Sequence, residues 1–579
     1  MPTLDWIGKK AVINHDKQVP FHLLTEVPEL SYGDKDSGNM LIQGDNLIAL
    51  KSLLPYYAGK VKCIYIDPPY NTGKEGWTYN DNVNSPEIKE WLGNVVGKEA
   101  EDLSRHDKWL CMMYPRLKLL REFLHEDGMI FISIDDHEQE NLKYICNEIF
   151  GIRNFVSQFV WNTDGHTDNQ FDVKINHEYI VMYAKHKESA ELGFVVDPNT
   201  REESNLLKGY AENSITKNGP ANPPCEVVLP EGFPLEEENI SLQESDIPDG
   251  LIDAMLKRKM TSTHLKNEFG KIQFPLRLDV MRGEKYALTS PCRVFSGWAN
   301  VKKLKAFIDN KCKPLIDDDG LYIKFYLSKN GVIYYRKDRG DKARNIVSVL
   351  RNMGTTEKMK TELEKMGIKF SYPKPKELLK YLIRIGSSSD DIILDSFAGS
   401  GTTGQAVLEL NASEKSSRKF ILIEMMDYAH EIIATRLGKV ISGYGHGKNK
   451  VSGLTGGFRY YRLGNPLFDE FGNVFSEIKF ADLAKHVFFS ETGTPLPDSN
   501  DLTTPFIGEY NERGIFLLYN GILKDKNPKN GNVLTREVLA MLPKYDGEKV
   551  IYGTGCRLSD ARLKAERITF KQIPYDLRG

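Results

Sequence analysis

The chain has 579 residues, 40% hydrophobic and 27% charged, with a formal net charge of −3; this length calls for two to four domains with sizeable cores. No apolar run reaches the roughly 18 residues of a membrane span, and the start, Met1 to Trp6, lacks the basic and apolar stretches of a secretory signal. The seven cysteines are scattered with no Cys-x-x-Cys pair, which argues against a disulfide framework and a zinc site and for a reducing cytoplasm.

Residues 1–38 are irregular, with one apolar patch at Trp6 and Ile7, and read as a strap across the main domain. Residues 40–43 then read as a strand ending in Gly44-Asp45-Asn46, and apolar positions 47, 50, 53, 54 and 57 predict a helix over 46–57. Lys62 to Ile66 is a run rich in β-branched residues, bounded by Asp67-Pro68-Pro69-Tyr70, and predicts a buried strand. The polar stretch 71–101 reads as a long functional loop, with Trp77 and Tyr79 marking a lid. A helix over 108–124, a strand over 128–134 and a helix over 138–150 follow. Strands 155–161 and 178–183, joined by 162–176, close the series. Strands alternating with helices imply an α/β fold with a doubly wound, mostly parallel sheet.

From 188 to 345 this rhythm breaks. Residues 201–250 hold 11 acids and 3 Lys/Arg, whereas 257–344 hold 21 Lys/Arg and 9 acids. Aromatics (Tyr322, Phe325, Tyr326, Tyr334, Tyr335) lie among the basic residues, a pattern that favours polyanion binding. The alternation resumes with a helix over 376–385, a strand over 391–395, a small-residue turn at 397–403 leading into a helix through Leu410, a strand over 420–424 and a helix over 428–440. A Gly-rich linker, 442–458, precedes a mixed tail without a chemical motif. The expected domains are therefore 1–187, 188–345, 346–458 and 459–579.

Two motifs carry chemistry. Prolines 68 and 69 donate no backbone hydrogen bond and hold φ near about −65°, so the chain leaves the sheet at a rigid lip. That lip presents the Asp67 carboxylate, outward-facing carbonyls and the Tyr70 ring, which together suit a planar heterocycle bearing an exocyclic amino group. The second motif, Gly399-Ser400-Gly401-Thr402-Thr403-Gly404, has the form of a dinucleotide fingerprint: it follows a strand, opens a helix and precedes the acidic strand end Glu424. By itself it leaves open an NAD-linked oxidoreductase or a purely structural turn. Asp395 separates these, because a carboxylate at that strand end suits a ligand ammonium group and repels a pyrophosphate. The pair points to S-adenosylmethionine, with Glu424 accepting from ribose hydroxyls and no metal required.

Phe397-Ala398-Gly399-Ser400-Gly401 together with Asp67-Pro68-Pro69-Tyr70 resembles the amino-group DNA methyltransferases. The motif order, with an insert between the two, is similar to their β group. Further matches are Leu41 to Asn46, Tyr70-Asn71-Thr72-Gly73, His177-Glu178-Tyr179-Ile180 and Tyr372-Pro373-Lys374-Pro375-Lys376. The combination is most similar to the modification (Mod) subunits of type III restriction–modification systems, clearly over 1–187 and 346–462. In 188–345 only the position and charge of the insert match, and in the tail only general character.

The resemblance implies a seven-stranded Rossmann-like sheet, an inserted α+β target-recognition domain at 188–345 and a C-terminal assembly or docking domain. It implies that Asp67, Pro68, Pro69 and Tyr70 form the catalytic lip, with Asp67 and the Pro68 carbonyl accepting the amino protons of a flipped base and Tyr70 stacking on it. Lys374, Pro375, Phe397, Ala398, Gly399, Ser400, Gly401 and Thr402 would cradle the methionine end of S-adenosylmethionine, with Asp395 on its ammonium group. Glu424 would hold the ribose and Asp45 would approach the adenine. An acid at position 67 favours adenine in double-stranded DNA over cytosine N4 as the target. The expected partners are DNA, a second copy in a homodimer and a restriction (helicase/nuclease) subunit in a prokaryotic cytoplasm or nucleoid, with no membrane. An NAD-dependent oxidoreductase and a non-catalytic DNA-binding subunit are the alternatives from other classes.

Overall fold

In a computed structural model of the protein, the aliphatic runs form one mixed sheet of eleven strands. The described residues are 3–72, 86–97, 104–163, 175–201, 204, 207–318, 320–338, 345–445, 447, 450–469, 474–475, 478–497, 500, 502–519 and 532–573. The expected lid residues Trp77 and Tyr79, and most of the connection 162–176, lie outside them.

In chain order the strands are β1 (His22–Glu26), β2 (Tyr32–Gly33), β3 (Met40–Gln43), β4 (Val61–Ile66), β5 (Leu124–Ile134), β6 (Phe155–Asn162), β7 (His177–Ala184), β8 (Val349–Leu350), β9 (Ile392–Asp395), β10 (Lys419–Glu424) and β11 (Gly457–Pro466). They run in the order β1-β11-β3-β10-β9-β4-β5-β7-β6-β8, with β2 also on β11. From β11 to β5 every pairing is parallel, and β7 is antiparallel to both β5 and β6. One transverse row, Ile421, Leu394, Ile64 and Ile130, is buried throughout, as central parallel strands with both faces covered require.

Successive side chains of a strand face opposite sides, and the helices divide accordingly. Ile64 and Ile66 join the core under helices α1 (Asn46–Tyr57) and α2 (Arg105–Phe123). Cys63 faces the other way. There α3 (Lys376–Gly386) approaches so closely that a Cβ on Gly386 would lie 2.9 Å from the Cys63 sulfur. The α4 helix (Thr402–Glu414) packs beside α3. The α2 helix starts three residues before its apolar pattern because Ser104 and Asp107 form a reciprocal capping box.

The sheet has eleven strands rather than seven because segments expected to be irregular add to its edges. The strap 1–38 contains two short helices and contributes β1 and β2, and its Trp6 is buried. The expected boundary at 458 falls inside β11, so the tail begins within the main sheet. Its helix Phe480–Thr492 packs on α1, and Phe21 and Leu23 of the strap join the tail's core. The stretch 71–101 includes a helix, Pro86–Val96, whose Leu92 and Val96 enter the main core. No helix among the described residues is long and apolar enough to cross a membrane.

The chain divides into two compact units: Met1–Gly193 with Val347–Gly579, and Phe194–Ile346. The second is α+β, with small antiparallel sheets and helices including Val301–Asp309 around a core of Phe233, Phe307, Phe325 and Trp298. Helix 301–309 buries Leu304 and Phe307 and exposes Lys302, Lys303 and Lys305. Arg336, by contrast, lies between the rings of Tyr210 and Tyr326, 4.0 and 5.0 Å from their centroids, and donates to Glu212 at 2.7 Å. Lys337 pairs with Asp317. The basic excess of the sequence thus includes cations neutralised within this unit. Arg336→Ala is expected to destabilise the protein by about 2 kcal/mol, whereas Lys302→Ala should change stability by less than about 0.5 kcal/mol. A calorimetric scan in which Arg336→Ala melts with the wild type would contradict the structural role.

Candidate active site

Three neighbouring strands, β10, β9 and β4, end in acids at the same edge of the sheet: Glu424, Asp395 and, one residue on, Asp67. The chain runs from β4 to β5 on one side and from β9 to β10 on the other, so Asp67 and Asp395 flank the point where the winding reverses. Crevices at such points, beyond the carboxyl ends of parallel strands, are where open α/β sheets bind ligands. All three carboxylates are buried, 4%, 2% and 6% exposed respectively for Asp67, Asp395 and Glu424.

The Gly-rich turn is shaped by the acids beneath it. Glu424 accepts backbone N–H groups from Gly399 at 2.8 Å and Met426 at 3.1 Å. Asp395 accepts from the Phe397 N–H at 3.0 Å and the Thr403 hydroxyl at 2.5 Å. Burial first, then the neighbouring Asp67 and Glu424 charges, push the Asp395 carboxyl up to about 7, against its hydrogen bonds. Burial also pushes Glu424 up to about 7. Gly401 has φ 79°, and a Cβ there would lie 2.6 Å from the Ile433 side chain, so only glycine fits. Below the turn, the fully buried Arg436 donates to the Ser400 carbonyl (3.0 Å), the Ser400 hydroxyl (2.8 Å), the Thr402 hydroxyl (2.9 Å) and Gln405 (2.8 Å).

Asp67 anchors a second cluster. Its Oδ1 pairs with the Lys374 ammonium at 3.0 Å and lies 2.9 Å from the Tyr70 hydroxyl. Glu178 Oε2 lies 3.2 Å from the same ammonium and 2.9 Å from the same hydroxyl. Lys374 also donates to the Tyr70 oxygen at 2.8 Å. Two carboxylates, one ammonium and one phenol therefore carry a net charge of −1. Burial opposes the Lys374 charge, but the two carboxylates outweigh it and hold the pKa above the usual lysine value. Burial raises Asp67, with Lys374 acting against it and Glu178 with it. The Pro69 carbonyl accepts from the buried Trp109 indole at 2.7 Å, and Asn71, at φ 61°, is bonded to the buried Glu138, so the lip is held on both sides.

Two cavities meet at Asp67 and Phe397. One is lined by Asn46, Met112, Arg116, Glu424, Met426 and Tyr428. The other is lined by Tyr372, Lys374, Asp395, Ala398, Ser400 and Thr402 among others. The turn residues 397–402, Asp395 and Glu424 thus come together as a cleft. Asp45 caps α1, its Oδ1 accepting from Leu47 and Ile48; its Oδ2 faces Arg116, which lines the cavity with Asn46. Lys374 faces Asp67 and Glu178, and Pro375 caps α3. Tyr70 is 8% exposed, which leaves little of its ring open for stacking.

Sequence reasoning assigned no role to Glu178 or Arg436. Because β7 is antiparallel, its first residues lie at the edge where the parallel strands end, with Tyr179 opposite Ile134; no local pattern carries that information. Arg436 did have a signal. It stands seven residues after Ala429 in a buried stripe with Ile433 and Leu437, where a charge is out of place unless it bonds something.

A family model described as DNA methylase matches residues 61–435. The Mod subunit of the type III restriction–modification enzyme EcoPI, from Escherichia phage P1, is 33% identical over 460 residues, 73% of this chain and 63% of that one. The EcoP15I Mod subunit from Escherichia coli is 31% identical over 445 residues, covering 73% and 64%. The StyLTI Mod subunit from Salmonella typhimurium is 29% identical over 547 residues, covering 88% and 73%. The chain spans a little under two thirds of the length of the first two.

The raised carboxyl of Glu424 makes ligand-free stability depend on pH. A carboxyl raised from 4.5 to about 7 contributes stability that is complete below its unfolded pKa and is lost as pH rises through about 7. Glu424→Gln abolishes that charge. Its melting temperature relative to wild type should therefore be higher near about pH 8 than near about pH 5.5, and an equal difference at both would show that Glu424 ionises without penalty.

Proposed function

The chain belongs to the DNA methylase family whose model spans residues 61–435, and from that membership we propose that it is an S-adenosylmethionine-dependent, adenine-specific DNA methyltransferase, the modification component of a restriction–modification system. The observation that carries this reading is the meeting of the two cavities at Asp67, with an acidic, partly apolar cleft on one side and the Asp67 cluster on the other. The names of the relatives, Mod subunits of type III restriction–modification enzymes, support the system, and the acid at position 67 favours the adenine target.

The donor set fits the cofactor. Buried carboxylates raised to about 7 suit a ligand bearing positive charge, and Met112, Met425, Met426, Phe397 and Tyr428 supply apolar surface for a purine. Asp395 and the turn 397–402 would face the methionine end, and Glu424 the ribose. When bound, S-adenosylmethionine supplies an electrophilic methyl group on its sulfonium.

The protein's own part is to hold the nucleophile. An adenine amino group is weakly nucleophilic because its lone pair is delocalised into the ring. Asp67 accepting one N–H and the Pro68 carbonyl another would draw that nitrogen towards tetrahedral and localise the lone pair. The net −1 charge of the Asp67–Glu178–Lys374 cluster stabilises positive charge arriving on that nitrogen. No covalent enzyme intermediate is needed; positioning and electrostatics suffice. The unit Phe194–Ile346 would recognise the target sequence, with Lys302, Lys303 and Lys305 on phosphates, and the tail would serve a dimer or a restriction subunit in the cytoplasm.

Incubation with unmodified DNA and S-adenosylmethionine, followed by nucleoside mass spectrometry, should yield N6-methyladenine. N4-methylcytosine would select the cytosine reading, and no methylated base would overturn both. Asp67→Ala should reduce turnover to less than about a tenth of wild type with DNA binding retained; a variant above that level removes Asp67 from the chemistry. Replacing Lys302 and Lys303 by Ala should weaken binding to every DNA sequence and flatten the salt dependence by about one log unit per lost contact, and an unchanged salt slope would clear that helix of phosphate contacts.

A further inference from the structure

A nitrogen that accepts a methyl group becomes cationic and must shed an N–H proton to end as a neutral methylated amine. A buried carboxylate that received this proton would stay neutral, and unable to serve the next turnover, unless the proton had a way out. Asp67 is such a carboxylate, its side chain 6% exposed, whereas that of Glu178 is 25% exposed. The Tyr70 hydroxyl stands between them, 2.9 Å from an oxygen of each, and its one proton can be given to only one at a time. Lys374 donates to the same phenol oxygen at 2.8 Å and pairs with both carboxylates, which holds the three groups together.

We propose that Asp67, Tyr70 and Glu178 form a proton relay that carries the amino proton of the methylated base from the buried site to solvent, with Lys374 as the positioning residue. This rests on the methyltransferase reading of the site. In the step, the N–H bond breaks with its electron pair remaining on nitrogen, and the proton passes to Asp67. The protonated Asp67 then gives a proton to the Tyr70 oxygen as the Tyr70 hydroxyl proton passes to Glu178. Glu178 releases its proton to water, and the phenol turns back. No tyrosinate forms at any point, in keeping with a phenol whose pKa is pushed well up by burial and by the Asp67 and Glu178 charges. Among the described residues, the charged and titratable groups facing the relay are Lys374, Asp395 and Tyr65 on the Asp67 side and Asp135 on the Glu178 side.

The test is multiple-turnover methylation of DNA by the full chain carrying Tyr70→Phe, Glu178→Gln or both. Tyr70→Phe keeps the ring and removes only the hydroxyl. Each single variant should lose about a hundredfold in rate with DNA and cofactor affinities unchanged, and the double variant should be no slower than the worse single, because both break one path. Tyr70→Phe turning over within about twofold of wild type, or single losses that multiply in the double variant, would overturn the relay. A wild-type protein that transfers no methyl group to DNA would instead overturn the underlying reading, and the relay with it.

Discussion

Like charges gathered away from water at one edge of a sheet are the constraint that the surrounding structure answers. Asp67, Asp395 and Glu424 end three adjacent parallel strands, and burial holds the latter two near pH 7, at a cost on the order of a few kcal/mol apiece when ionised. Each acid is compensated by something specific. Glu424 and Asp395 draw backbone N–H groups and a hydroxyl from the turn that follows β9. Asp67 draws the Lys374 ammonium from a segment just before α3. The turn is therefore shaped by the acids, and the acids are kept in place by the turn.

Arg436 is also compensated: the Glu362 and Glu409 charges act on it, while its hydrogen bonds to oxygen among the described residues go to the turn and to Gln405. Its guanidinium satisfies the carbonyl of Ser400 and the hydroxyls of Ser400 and Thr402 from below. The upper face of the turn is then free to meet a ligand. An oriented, water-excluded donor set of this kind needs no reorganisation when charge moves in the cleft. On the Asp67 side, two carboxylates against one ammonium leave a single uncompensated negative charge at the place where the proposed chemistry puts a positive one.

Much of the first unit was legible in the sequence. The strand at 40–43 and the helix at 46–57 are found at those residues, because an apolar run bounded by turn residues and a five-member apolar stripe are local signals. The strap and the tail were not legible. β1 and β2 pair only with β11, which lies between β1 and β3, and none of the three is a continuous buried run; what makes them strands is the partner beside them, not their own periodicity. The helix at Pro86–Val96 escaped because it stands inside a long stretch otherwise rich in polar residues, glycine and asparagine; Leu92, Val95 and Val96 tie it to the core.

The sequence by itself determined the alternating α/β order, the two motifs with their strand-end acids, and the insert between them, because each is written in neighbouring residues. Tertiary structure alone decided which side chains surround Asp67. Lys374 lies 307 positions away along the chain and Glu178 111, and Glu178 reaches the site only because β7 runs against β5 and brings its first residues to the edge where the parallel strands end. Tertiary structure also gave Asp45 a helix-capping role and withdrew Arg336 and Lys337 into ion pairs. Charge and motif are properties of a segment, whereas a partner is set by strand direction and register, and these are fixed only when the sheet closes around its core.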